Sequence, residues 1–137
     1  MTHNILIIDD SRDMHRLIRS AFSETPWLVE SAYCGGDGLA MASANPPDLI
    51  LLDIDMPDMN GFDVCRHLKA NSRTSDTPVI FVSTLNGADE KICGLKLAVD
   101  YVTKPFEAAD LLARVETALQ MKSMLDPIPV CPSQRPL

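Results

Sequence analysis

The chain has 137 residues, 46% apolar and 23% charged, with 12 Lys and Arg against 19 Asp and Glu for a formal charge of −7. That length suits one domain with a sizeable core and excludes disorder over most of it, and the acidic total excludes a nucleic-acid surface, which needs clustered bases to displace counterions. No apolar run approaches the roughly 20 residues that cross a bilayer, and the start MTHNILIIDD lacks the basic leader of a secretory signal, so a cytoplasmic protein without membrane contact is expected.

In chain order, Ile5 to Ile8 reads as a strand, and its continuous apolar run predicts burial on both faces, as in a parallel sheet. Met14, Leu17, Ile18, Ala21 and Phe22 follow at i, i+3, i+4, i+7 and i+8, one apolar stripe on a helix. Pro26 interrupts, and Leu28 to Tyr33 makes a second strand, with Trp27 packing at its edge. A helical stripe from Leu39 to Ala44, the break at Pro46 and Pro47, and the strand Leu49 to Leu52 come next. Pro57 and Gly61 mark a loop in which Met56 and Met59 pack, ahead of a helix carrying Phe62, Cys65 and Leu68. Pro78 precedes the strand Val79 to Val82, Gly87 a helix with Ile92 and Leu95, and the short strand Tyr101 to Thr103 leads through Pro105 to a last helix with Leu111, Leu112, Val115 and Leu119.

Strand then helix, five times over, predicts a doubly wound α/β domain of about 120 residues with helices on both faces. Residues 1–122 are assigned to that domain, and the proline-rich 123–137 to a flexible tail or linker stub. Cys34, Cys65, Cys93 and Cys131 show no C-x-x-C spacing, and the first three are expected to be buried as small apolar groups. His3, His15 and His67 have no partner at ligand spacing and are expected at the surface.

In such a sheet, ligands bind beyond the carboxyl ends of the strands. Strand one ends in Asp9 and Asp10, strand three in Asp53, strand four in Ser83 and Thr84, and Lys104 follows strand five. Asp9, Asp10 and Ser11 also suit a helix cap. Three carboxylates at one edge repel unless neutralised, and hard oxygen ligands at that density suit Mg²⁺, with Mn²⁺ as the alternative. A lysine and a hydroxyl beside them are what a phosphoryl group requires, so the set reads as a carboxylate nucleophile that accepts a phosphoryl group with metal assistance. The charge follows this division: residues 1–60 hold ten acids and three bases, whereas residues 61–137 hold nine of each.

LIIDDS, DLILLDIDMPDMNGFDV, PVIFVST and DYVTKPF, in that order and each at a strand end, make residues 3–121 resemble the receiver domain of bacterial two-component response regulators. The resemblance implies a flavodoxin-like, five-stranded parallel sheet of order 2-1-3-4-5. It implies that Asp53 is the phosphoacceptor, that Asp9 and Asp10 hold Mg²⁺ with the backbone carbonyl of Asp55, and that Lys104 binds the phosphoryl group. Ser83 and Tyr101 match the switch hydroxyl and switch aromatic, and the bond between Lys104 and Pro105 matches one that is usually cis. The implied partners are a histidine kinase or histidine phosphotransfer protein, and either a downstream effector or an output domain beyond the last residue. Homodimers would form through the face made by the helix around Ile92, the fifth strand and the last helix, where Lys91, Lys96, Asp100, Asp110 and Arg114 offer both signs. The implied activity is confined to the domain's own phosphorylation and dephosphorylation, so it is not expected to be an enzyme toward other substrates.

Two other readings stand beside this one. LILLDIDM also resembles the D-x-D motif of haloacid-dehalogenase-type phosphatases, which would use Asp53 and Asp55, although there the motif ends the first strand. An interaction module that is never phosphorylated is the third reading, and the complete set Asp9, Asp10, Asp53, Ser83 and Lys104 speaks against it. Two departures from the receiver pattern stand out. Thr84 replaces a small residue, which is expected to slow access to the pocket, and KLAVDY is one residue short before the fifth strand.

Overall fold

The computed structural model describes residues 3–54, 56–83, 100–104 and 106–125. The strands are β1 (Asn4–Ile8), β2 (Leu28–Ala32), β3 (Leu49–Leu52), β4 (Val79–Ser83) and β5 (Asp100–Thr103), and the helices are α1 (Arg12–Ala21), α2 (Gly35–Ala44), α3 (Gly61–Ala70) and α4 (Ala108–Leu125). All pair in parallel, in the order β2-β1-β3-β4-β5. Asp55, Thr84, Pro105, Cys93, Cys131, the helix expected around Ile92 and Leu95, and residues 126–137 lie outside the described residues.

Alternation along each strand sends its side chains into two cores. Leu6, Ile8, Ile50, Leu52 and Phe81 pack with Ala42, Val64, Cys65 and Leu68 on the side of α2 and α3. Ile5, Ile7, Leu49, Leu51, Ile80 and Val82 pack with Ile18, Phe22, Leu111 and Val115 on the side of α1 and α4. Full burial of each such side chain is worth roughly 1.5–3 kcal/mol relative to exposure, so the central strands β1, β3 and β4 form the stable frame. Among the described residues no helix is long and apolar enough to cross a membrane.

The structure departs from the sequence pattern in four places. β2 lies at the sheet edge, so Leu28 is 60% exposed and the strand alternates instead of being buried throughout. Leu17 is 57% exposed and stands outside the α1 stripe, while His15, expected at the surface, is 2% exposed. The stripe therefore keeps Met14, Ile18, Ala21 and Phe22 and exchanges Leu17 for His15, because a polar ring with hydrogen-bond partners on Ser31 and Asp9 is accepted there. α2 seats on the sheet through Gly38 and Ala42, while Gly35 packs against Val64 and Met59: a Cβ on Gly38 would come within 2.5 Å of Ile8 Cδ1, so a larger residue would have to displace the buried Ile8 side chain. Cys65 is buried as expected and its burial pushes the thiol pKa up, whereas Cys34 is only half-buried at the α2 N-cap.

Candidate functional site

The residues at the strand ends are held by the sheet that precedes them. Asp9 N–H donates to Ala32 C=O at 3.1 Å, Asp53 N–H to Ile8 C=O at 2.9 Å, and Lys104 N–H to Ser83 C=O at 2.8 Å. Each group thus sits one step past its strand while its backbone is still pinned by the neighbouring strand's last carbonyl. Three side chains from three strands converge on one corner, and none depends on a long loop for its position.

One carboxylate oxygen from each of Asp9, Asp10 and Asp53 falls within 4.8 Å of the others. Asp9 and Asp53 are buried and Asp10 is exposed, which leaves the cluster open on one side. Lys104 Nζ lies 3.0 Å from Asp9 Oδ2 and 3.5 Å from Asp53 Oδ1. Among the described residues one amine faces three carboxylates, two of them buried, where charge of one sign is costly to gather. The donor set, hard oxygens only, fits a small divalent cation. Ser83, wholly buried at the end of β4, belongs to the same edge.

Ser11 is the N-cap of α1, its Oγ accepting from Met14 N–H at 3.2 Å, while Asp9 Oδ1 accepts from Ser11 N–H at 2.9 Å. Of the three residues that suit a cap, Ser11 is the one that caps α1, and Asp9 reaches it only through the Ser11 N–H while facing Lys104. Tyr101 is 8% exposed, with its ring 6.4 Å from that of Phe81. On the outer side it lines a cavity of about 500 Å³ with Val102, Phe106, Glu107 and Arg114. Arg114 bonds both oxygens of Asp100 at 2.7 and 2.9 Å and also reaches Asp110, so these three of the mixed-sign residues pair with one another.

Three supporting residues escaped the sequence reading. A Cβ on Gly61 would strike the Asp53 carbonyl and come within 2.6 Å of Ile54 Cα, so glycine is what lets α3 begin directly against the backbone of Asp53 and Ile54, with Gly61 N–H on Ile54 C=O at 2.8 Å. Asp58, in the loop after β3, accepts from Gly35 N–H at 3.1 Å and Gly36 N–H at 3.2 Å, tying that loop to the start of α2. The Gly35 N–H, with that of Gly36 adding to it, holds the Asp58 carboxyl below its usual 3.8. His15 is hydrogen-bonded at both ring nitrogens, Nε2 donating to the Asp9 carbonyl and Nδ1 lying against Ser31 Oγ. A Gly after M-P-x-M was the one available signal; the other two are tertiary contacts with no sequence spacing to betray them.

The model of the response regulator receiver domain family matches residues 5–116. The response regulator PleD of Caulobacter vibrioides is 39% identical over 127 residues, covering 92% of this chain and 28% of that protein. The DNA-binding dual master transcriptional regulator RpaA of Synechocystis sp. is 39% identical over 117 residues, covering 85% of this chain and 48% of that one. The chain therefore spans about half or less of these two relatives. The solved chemotaxis protein CheY4 of Vibrio cholerae superposes with a TM-score of 0.80 at 26% identity, over 86% of this chain and 99% of that one.

Proposed function

The chain belongs to the receiver domain family of two-component response regulators, and from that premise we propose that it is switched by phosphorylation of Asp53. The observation that carries the assignment is the placement of Lys104 between two buried carboxylates, 3.0 Å from Asp9 and 3.5 Å from Asp53. A surface lysine would not give up its hydration for that corner unless the corner had use for its charge.

A histidine kinase or histidine phosphotransfer protein presents phosphohistidine. A carboxylate oxygen of Asp53 attacks phosphorus, the P–O bond forms as the P–N bond breaks, and the departing imidazole nitrogen takes up a proton. Lys104 offers positive charge to the oxygens of the transferring group, where negative charge must be held. The residues that would hold Mg²⁺, or Mn²⁺ in its place, are Asp9, Asp10 and Asp53 with the carbonyl of Asp55, and the ion supplies the positive charge that one lysine cannot. The acyl phosphate gives the Ser83 hydroxyl a new acceptor, and movement of Ser83 makes room for Tyr101, which shifts the population of surfaces around β5 and α4.

The domain acts on its own aspartyl phosphate alone, in the cytoplasm. Its output is a downstream effector protein or an output domain, with residues 1–122 as the switch. Self-association through the face bearing Tyr101, Asp110 and Arg114 belongs to the phosphorylated state, and light scattering with and without beryllofluoride checks it: mass rises on addition. The decisive test is incubation with acetyl phosphate and Mg²⁺ followed by intact mass measurement. Wild type gains one phosphoryl group and Asp53→Asn gains none. An unmodified wild type returns the reading to an interaction module, and turnover of ordinary phosphate monoesters returns it to a phosphatase.

A further inference from the structure

We propose that His15 is a positioning residue for the acidic pocket, setting the direction of Asp9 and Asp10 through a hydrogen bond to the carbonyl that joins them. The inference rests on the reading of those two acids as the metal-holding pair.

Every polar group of Asp9 has a partner. Its N–H bonds Ala32 C=O, its Oδ1 accepts from Ser11 N–H, and its Oδ2 pairs with Lys104. Its carbonyl lies past the end of β1 and before the first turn of α1, so neither the sheet ladder nor the helix supplies it with a donor. His15 Nε2 does, at 2.8 Å. That carbonyl belongs to the peptide linking Asp9 to Asp10, and fixing the plane of this peptide fixes ψ of the first acid and φ of the second. One bond from outside the pocket therefore aims two carboxylates.

The rest of the histidine is arranged to keep that bond. Nδ1 lies 2.8 Å from Ser31 Oγ, and Ser31 Oγ also lies 2.8 Å from an Arg19 guanidinium nitrogen. The Asp9 carbonyl can only accept, so Nε2 carries a proton, and for a neutral ring Nδ1 is then the acceptor. Ser31 gives its single proton to Nδ1 while a lone pair accepts from Arg19, which only donates. The chain from Arg19 through Ser31 and His15 to Asp9 thus runs in one direction and selects one tautomer, as assigned from its partners. The Tyr33 ring, 4.4 Å from the imidazole and itself capped by Arg12 at 4.5 Å, closes the outer side and leaves His15 2% exposed.

The test uses the full chain and Mg²⁺ alone, titrated calorimetrically against wild type, His15→Leu, His15→Gln and Ser31→Ala. The glutamine amide nitrogen reaches the place of Nε2 and restores a donor to the carbonyl. His15→Leu is expected to bind Mg²⁺ about tenfold more weakly, the usual scale for losing an outer partner of a metal ligand. His15→Gln is expected to recover most of that loss, although both variants lose the ring contact with Tyr33. Ring-nitrogen NMR is expected to show the Nε2–H tautomer in wild type and a mixture in Ser31→Ala. A wild type that takes no Mg²⁺ overturns the metal reading and this inference with it. A wild type that takes Mg²⁺ while His15→Leu matches it, or while Leu and Gln fall equally, overturns the inference alone. Should His15→Leu fail to fold, an unaltered tautomer and affinity in Ser31→Ala overturns it as well.

Discussion

The two ends of the sheet use the same kinds of polar residue to opposite effect. At the amino ends Lys69 and Arg73 each donate to carbonyls. Lys69 Nζ donates to Thr77 C=O at 2.8 Å, Arg73 Nε to Ser43 C=O at 2.6 Å, and the buried Thr74 hydroxyl to Leu68 C=O at 2.6 Å, while Asp48 accepts from Asn4 N–H at 2.7 Å. These bonds close helix ends and strand starts, and even Lys69, whose burial lowers its pKa, has its ammonium held by the Ser75 and Thr77 carbonyls. At the carboxyl ends Asp9, Asp10 and Asp53 share one corner, and the Lys104 amine pairs with Asp9 and Asp53. A fold selected for stability alone would not keep that arrangement, since an apolar substitute of similar shape is often as stable. The contrast separates an end built to close from an end built to receive.

Lys104→Met tests the contrast hardest. It removes the only cation described in the corner and leaves buried Asp9 and Asp53 without it, at a cost of about 3 kcal/mol in metal-free buffer. Saturating Mg²⁺ is expected to return much of that loss, and urea unfolding in chelator and in Mg²⁺ measures both. A loss of equal size in the two buffers would mean that the carboxyl end is closed in the same sense as the other. Thr74→Val is the matching change at the amino end. It takes the buried hydroxyl donor from the Leu68 carbonyl, which keeps only the longer bond from Asn71 N–H at 3.3 Å, for about 1 kcal/mol, and Mg²⁺ is expected to leave that figure unchanged.

Most of the receiving end could be read from sequence because the strands present it. An acid directly after an apolar run is conspicuous, and Asp9, Asp53, Ser83 and Lys104 each stand there. What escaped depends on where elements lie relative to one another. Helical spacing treats Leu17 and Ile18 alike, yet α1 crosses the sheet with Leu17 outward and His15 inward. The apolar content of Leu28 and Val29 suggested a buried strand, but edge position follows from strand order, which periodicity does not carry. The seat of α2 is made by Gly38 and Ala42, residues whose fit comes from lacking bulk and which therefore leave no apolar signal.

Asp58 gives the smallest effect and refines where the boundary between the two ends falls, because it lies at the carboxyl end and yet works as a closing residue. α2 has a weak cap of its own, the Cys34 thiol accepting from Asp37 N–H at 3.4 Å, and Asp58 supplies the stronger acceptor from across the loop. Its carboxylate is exposed, so solvent screening holds the cost of Asp58→Ala to about 0.5 kcal/mol at neutral pH. The Gly35 and Gly36 N–H groups lower its pKa from 3.8, which means that the folded chain binds the Asp58 proton less tightly than the unfolded one. The contribution is therefore complete above about pH 3.8 and fades as pH drops through the lower folded value. Unfolding of wild type and Asp58→Ala at pH 7, and again at the lowest pH where wild type still folds, is expected to show the gap closing. A gap that stays constant would mean that the side chain serves α2 by shape and not by charge. Because Asp58 leads from the Asp53 loop to α2, a closing gap would also make it the point at which the charge-poor frame begins.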